Sequence, residues 1–124
     1  MEREKLAEIY KKYGLEKEDV FKHQHYTIIT RSGIEKIAAI EQITIEYEVI
    51  RCEPNYVVIK AKTKQLETFG SALKGADYKT GNTTTWYVAE MAEKRAMSRA
   101  VLKTAGLYEH GFFGEDESES FKRG

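Results

Sequence analysis

Arg95 and Arg99 are the residues whose type and spacing first suggest chemistry. They stand four apart in the alanine-rich run 86–104, and share a helical face with Val88, Met91, Ala92 and Leu102. A guanidinium presents paired donors in a plane, so two of them one turn apart at the edge of a concave surface can hold successive backbone phosphates bidentately. The same side chains can instead lay their methylene stems over a sheet and pair with strand carboxylates such as Glu46 or Glu48. Lys94 and Lys103 lie on the same run. Lys60, Lys62, Lys74 and Lys79 precede it, in a basic series that also takes in Arg31, Lys36 and Lys64. Trp86 and Tyr87 open the run, where an exposed ring can stack on a base.

The residue types that usually carry catalysis are poorly placed. His23 and His25 are two apart and His110 is remote, with no HExxH pattern and no cluster of carboxylates at metal-ligand spacing. The glycines form neither a Walker loop nor a dinucleotide fingerprint. Glu90 and Glu93 stand beside Lys94, as expected of a solvated helix face. The lone Cys52 offers neither an internal disulfide nor a zinc knuckle. The expectation is a protein that is not an enzyme and uses no cofactor or metal.

Several elements must position the basic residues. Leu6, Ile9, Tyr10 and Tyr13 recur at helical spacing before Gly14, and 16–21 reads as a second short helical piece. Residues 25–30 are β-branched and strand-like. Ser32 and Glu35 stand in capping-box spacing ahead of Ile34, Ile37 and Ala38, which predicts a helix. Ile43, Ile45, Tyr47 and Val49 alternate with Thr44, Glu46 and Glu48, the mark of a half-buried strand with one wet, acidic face. Glu53, Pro54 and Asn55 make a turn into a strand at 56–61, and 62–65 connect it to a third beginning at 66–69. Glycines, threonines and polar residues from 70 to 85 predict an irregular binding loop. The long helix 86–104 follows and stops at Gly106. The fold expected is α+β, a three-stranded antiparallel meander packed against a long C-terminal helix, with helices at the N-terminal end.

A chain of 124 residues with 41% apolar and 32% charged content can bury one core of moderate size. One domain over 1–113 is expected, followed by an acidic, disordered tail over 114–124. The 20 basic and 20 acidic residues cancel, and up to Phe113 they number 18 and 16, so an anion-binding surface must come from segregation. No apolar run reaches membrane-spanning length and the first thirty residues lack a signal-peptide core, so no membrane and a cytoplasmic location are expected.

The order of helix, meander, loop and alanine-rich helix, with AEMAEKRAMSRAVLKTAGL in the last, resembles the single-strand annealing proteins of the phage essential recombination function (ERF) superfamily and their eukaryotic recombination relatives. Ala92, Lys94, Arg95, Ala96 and Ala100, then Leu102, Ala105 and Gly106, stand where that pattern puts them, and the resemblance covers about 34–113. The chain as a whole is also similar to small phage and prophage proteins through HYTIITRSGIEKI, ETFGSALKGA and the run from WYVAEMAEKRAMSRAVLK to GFFGEDES, a resemblance that supplies no function by itself. The first resemblance implies a β-β-β-α core and binding or annealing of single-stranded DNA, the cations lying between sheet and helix in a homo-oligomer within the bacterial host cell. The acidic tail offers a site for a protein partner. The alternative is a small phage structural or protein-interaction module that binds no nucleic acid.

Overall fold

The structure, a computed structural model, describes residues 2–23, 26–76 and 80–115, with the side chains of residues 2, 3 and 23 left out of the description. In chain order the elements are α1 (Glu2–Tyr13), a 3₁₀ turn (Lys17–Asp19), β1 (Val20–His23), β2 (Tyr26–Ile29), α2 (Arg31–Ile40), β3 (Glu46–Glu53), β4 (Tyr56–Lys62), β5 (Glu67–Leu73), α3 (Val88–Thr104), a 3₁₀ turn (Tyr108–His110) and β6 (Phe112–Gly114). The fold is α+β: the antiparallel sheet β3-β4-β5 packs through β4 and β5 against the C-terminal helix α3.

That packing follows from side-chain size. Val88, Ala92, Ala96 and Ala100 recur every four residues and lie on Val57, Ile59 and Ala61 of β4 and Ala72 of β5. Small residues bring the helix close, and Gly70 sits at the closest point. A Cβ there would come within 2.2 Å of the Ala92 carbonyl oxygen and 2.3 Å of the Ala96 nitrogen. Gly70 therefore belongs inside β5 and not to the loop expected from residue 70 onward. That loop begins only after Leu73.

The other side of α3 is also covered. Val101 and Leu102 join Ile9, Tyr13, Ile29, Ile34, Ile37, Leu107 and Phe112 in a second core under α1, α2 and a small sheet of order β1-β2-β6. Burial on two sides explains why Met97 and Val101, opposite the arginine face on a helical wheel, are not solvent-facing. At α3's end Gly106 takes φ 72, with Gly106 N–H bonding Lys103 O and Leu107 N–H bonding Leu102 O. This is the left-handed stop that glycine adopts cheaply.

The N-terminal half differs from the expected pattern in three places. Residues 16–21 form one 3₁₀ turn leading into β1, because the buried Asp19 ties the turn to α2. Thr30, not Ser32, occupies the N-cap of α2, and the Ser32 hydroxyl is drawn instead to the Asp19 carboxylate at 2.5 Å. The strand β6, parallel to β2 with Thr27 opposite Phe112, has no counterpart in the sequence reading. Three residues carry no periodicity, and what places them is burial of Phe112.

Candidate nucleic-acid interface

The long helix runs antiparallel to β5, an edge strand, and this settles where its arginines go. Arg95 donates from Nη1 to the Ser71 carbonyl (2.8 Å) and from Nη2 to the Asn82 carbonyl (2.9 Å), while Arg99 Nη1 donates to the Phe69 carbonyl (2.6 Å). Four helical residues rise about 6 Å and two strand residues about 6.7 Å, so side chains one turn apart meet carbonyls two residues apart. Glu46 and Glu48 lie on the far edge strand, and Glu48 pairs with Lys60 at 3.1 Å. The alternative of pairing the arginines with those carboxylates gives way to backbone carbonyls, because α3 lies over β4 and β5 and its arginine side overhangs β5.

Burial divides the two arginines. Arg95 is 6% exposed and its fork is spent on carbonyls, which makes it a brace between β5, the loop and α3. Arg99 is half-buried and stands in the wall of an open cleft of about 400 Å³, lined with Glu67, Thr68, Phe69, Lys103 and Tyr108. Lys103, one further turn along α3, continues the line of cations. Phe69 is 50% exposed, and Tyr108 is tilted against Phe113 with ring centroids 5.4 Å apart. Two cations of α3 and Tyr108 thus line the cleft at the β5 edge, which Phe69 and Glu67 complete from the strand, their side chains on the sheet face away from α3. Glu67 is itself 3.6 Å from Lys60.

At the other end of the same edge, Lys74 Nζ sits 4.2 Å from the Trp86 ring centroid. Such cation–π contact holds a lysine without neutralising it. Trp86 and Tyr87 are 69% and 68% exposed just before α3, the exposure expected of them. Between the two ends Asn82 clamps the strand: its side chain accepts from Leu73 N–H (2.7 Å) and donates to Ser71 O (3.2 Å).

The remaining residues of the basic series are distributed differently. Lys60 and Lys62 project from β4 on the sheet face away from α3, opposite in register to Glu48 and Glu46. The hydrogen bond and charge of Glu48, with the charge of Glu67, hold the Lys60 ammonium above its ordinary pKa of 10.5. Lys94 is half-buried on α3, and Lys79 lies outside the described residues, as does most of the acidic tail. The structure therefore brings together Arg99 with Lys103, and Lys74 with Trp86. It sets Lys60 and Lys62 on the sheet face away from α3, in register with Phe69 and Glu67. Phe69 and Glu67 went unnoticed in the sequence, where nothing but strand alternation marks them, and only the edge position of β5 makes them cleft residues.

Among the described residues no three of His, Cys, Asp and Glu gather so as to hold a metal ion, and no helix is long and apolar enough to cross a membrane. No family model matches the chain, and neither a curated protein nor a solved structure matches it.

Proposed function

We propose that the protein binds single-stranded DNA without catalysis, along the β5 edge, and that it serves strand annealing in phage-type recombination within the bacterial cytoplasm. The observation that carries this reading is the cleft in which Arg99 and Lys103 stand beside Phe69 and Tyr108. Single-strand binding uses cations that follow the backbone together with rings on which bases stack, at about 1–3 kcal/mol per stacked base. The Lys74–Trp86 pair repeats the combination farther along the edge. Arg95 has a positioning role here, holding the strand and loop that form the wall. The helix-on-meander arrangement agrees with what the annealing-protein resemblance implies.

The test is fluorescence anisotropy of a labelled single-stranded oligonucleotide at low and high salt. Wild-type binding that weakens with salt, and weakens about tenfold or more in Arg99→Ala/Lys103→Ala with a smaller salt slope, is the expected result. A folded wild type that does not bind, or a double variant that binds equally well, overturns the proposal. Annealing is read separately, from the pairing rate of two complementary labelled strands.

The protein-interaction reading is favoured by one observation, the exposure of all eight residues of β3. It gains if wild-type protein ignores DNA at every salt concentration.

A further inference from the structure

The chain treats the two edges of its β3-β4-β5 sheet unequally. Along β5 the outward carbonyls of Phe69, Ser71 and Leu73 accept from Arg99, Arg95 and the backbone of Asn82 and Thr83. Along β3 no described strand pairs with the outer side. Its apolar residues remain in water: Val49 is 59% exposed, Ile50 48% and Tyr47 44%. The expected half-buried strand is thus uncovered on both faces, because α3 stops short of it. An unpaired, partly apolar edge is a template for another strand.

The order of residues along β3 says which strand fits. Tyr47, Val49 and Cys52 lie opposite Ala61, Ile59 and Val57, on the α3 side of the sheet, whereas Glu46, Glu48, Arg51 and Glu53 lie opposite Lys62, Lys60, Val58 and Tyr56 on the outer side. The register shift between Val49 and Arg51 makes Ile50 a bulge and resets this alternation. Because of the reset, the strand reads the same way from either end: outer, inner, outer on each side of Val49 and Ile50. An antiparallel copy centred there keeps every other residue on its own face, which a one-residue slip does not.

We propose that β3 pairs with β3 of a second copy of this chain about a two-fold axis between Val49 and Ile50, joining the two sheets into one of six strands. Glu48 then faces Arg51 of the partner subunit, and Arg51 faces Glu48 of the partner subunit, so the charge pair is made twice by symmetry. Tyr47 lies across from Cys52 of the partner subunit, and the Val49 and Ile50 side chains of both copies meet at the centre. Glu46 and Glu53 oppose each other only at the ends of the pairing, where water screens them, and Glu53 already pairs with Arg51 of its own strand. With β5 closed by arginines, this is the edge of that sheet left for a second copy. The inference stands whether or not the β5 cleft takes DNA.

Sedimentation equilibrium of the full chain without DNA, from micromolar to near-millimolar concentration, tests it. A dimer is expected for wild type. Glu48→Arg alone sets arginines against each other and Arg51→Glu alone sets carboxylates against each other, so each weakens association about tenfold or more. An equal mixture of the two variants regains wild-type association, since each supplies the charge the other lacks. If either charge variant loses its circular dichroism, Val49→Lys, at an exposed position, decides by itself: loss of the dimer supports the pairing and an undiminished dimer overturns it. A wild type that stays monomeric, an assembly that ignores the substitutions, or a mixture no stronger than its separate components likewise overturns it.

Discussion

Arg95 shows how little a residue's type says about its use. Its guanidinium is charged and forked, suited to phosphate, yet at 6% exposure it bonds the Ser71 and Asn82 carbonyls. Truncation removes a donor from two half-buried carbonyls, of which Ser71 O keeps Asn82 Nδ2, so Arg95→Ala is expected to cost about 2 kcal/mol in urea melts, and Arg95→Lys to recover only part because an ammonium cannot span both carbonyls. A melt indistinguishable from wild type would remove the bracing role. Asp19 is the corresponding case among the acids. Burial alone raises its pKa, but Lys36 at 2.6 Å, the Ser32 hydroxyl and the Glu16 N–H outweigh that and hold it below its ordinary 3.8. A carboxyl with a lowered folded pKa adds stability that is complete above its unfolded value and is lost as pH falls through the folded one. Asp19→Asn should therefore cost about 1–2 kcal/mol at neutral pH, a gap that closes as the medium is acidified below pH 4. A gap independent of pH would show that the carboxylate charge is not what ties the 3₁₀ turn to α2.

At the scale of elements, the contact of α3 with β5 depends on the absence of side chains. The alanine stripe and Gly70 allow Thr68 Oγ1 to donate to the Ala96 carbonyl at 2.9 Å, and that closeness sets the reach of Arg95 and Arg99. Gly70→Ala would drive a methyl into helix backbone, which cannot rotate away. The expected loss is about 3 kcal/mol, at or above the usual overpacking range. The same displacement moves Arg99, so oligonucleotide affinity should fall even where the protein remains folded. Melts and anisotropy on one preparation check both, and wild-type stability would mean that helix and strand separate freely. The period of four along Ala92, Ala96 and Ala100 was legible in the sequence. Gly70 was not, because an isolated glycine in a polar neighbourhood reads as a turn until the helix above it is known.

Across the whole molecule α3 is shared property: one side belongs to the β3-β4-β5 sheet and the other to the core formed with α1, α2, β2 and β6. The two cores should therefore unfold together. Leu102→Ala, which cuts only the second core, is expected to cost about 2–5 kcal/mol and to speed amide exchange in β4 as well as in β2. Exchange that quickens in β2 alone would show two independent units. The β3-β4-β5 sheet also has two edges with different fates, β5 closed by arginine donors beside a cleft and β3 open along eight exposed residues.

The local periodicities in the sequence determined the meander, the long helix with its glycine stop and the α+β class, since alternation and helical spacing are properties of neighbours along a chain. The same pattern identified Trp86 and Tyr87 as exposed aromatics and singled out the cations. Tertiary structure alone decided that α3 overhangs β5 and leaves β3 bare, that Arg95 is a brace while Arg99 and Lys103 share a cleft, and that Lys60 and Lys62 face the other way. It alone placed β1 and β6, whose short runs acquire strand geometry from Asp19 and Phe112 in the core. Charge and periodicity are written residue by residue, whereas which edge a helix covers depends on the packing of side chains far apart in the chain.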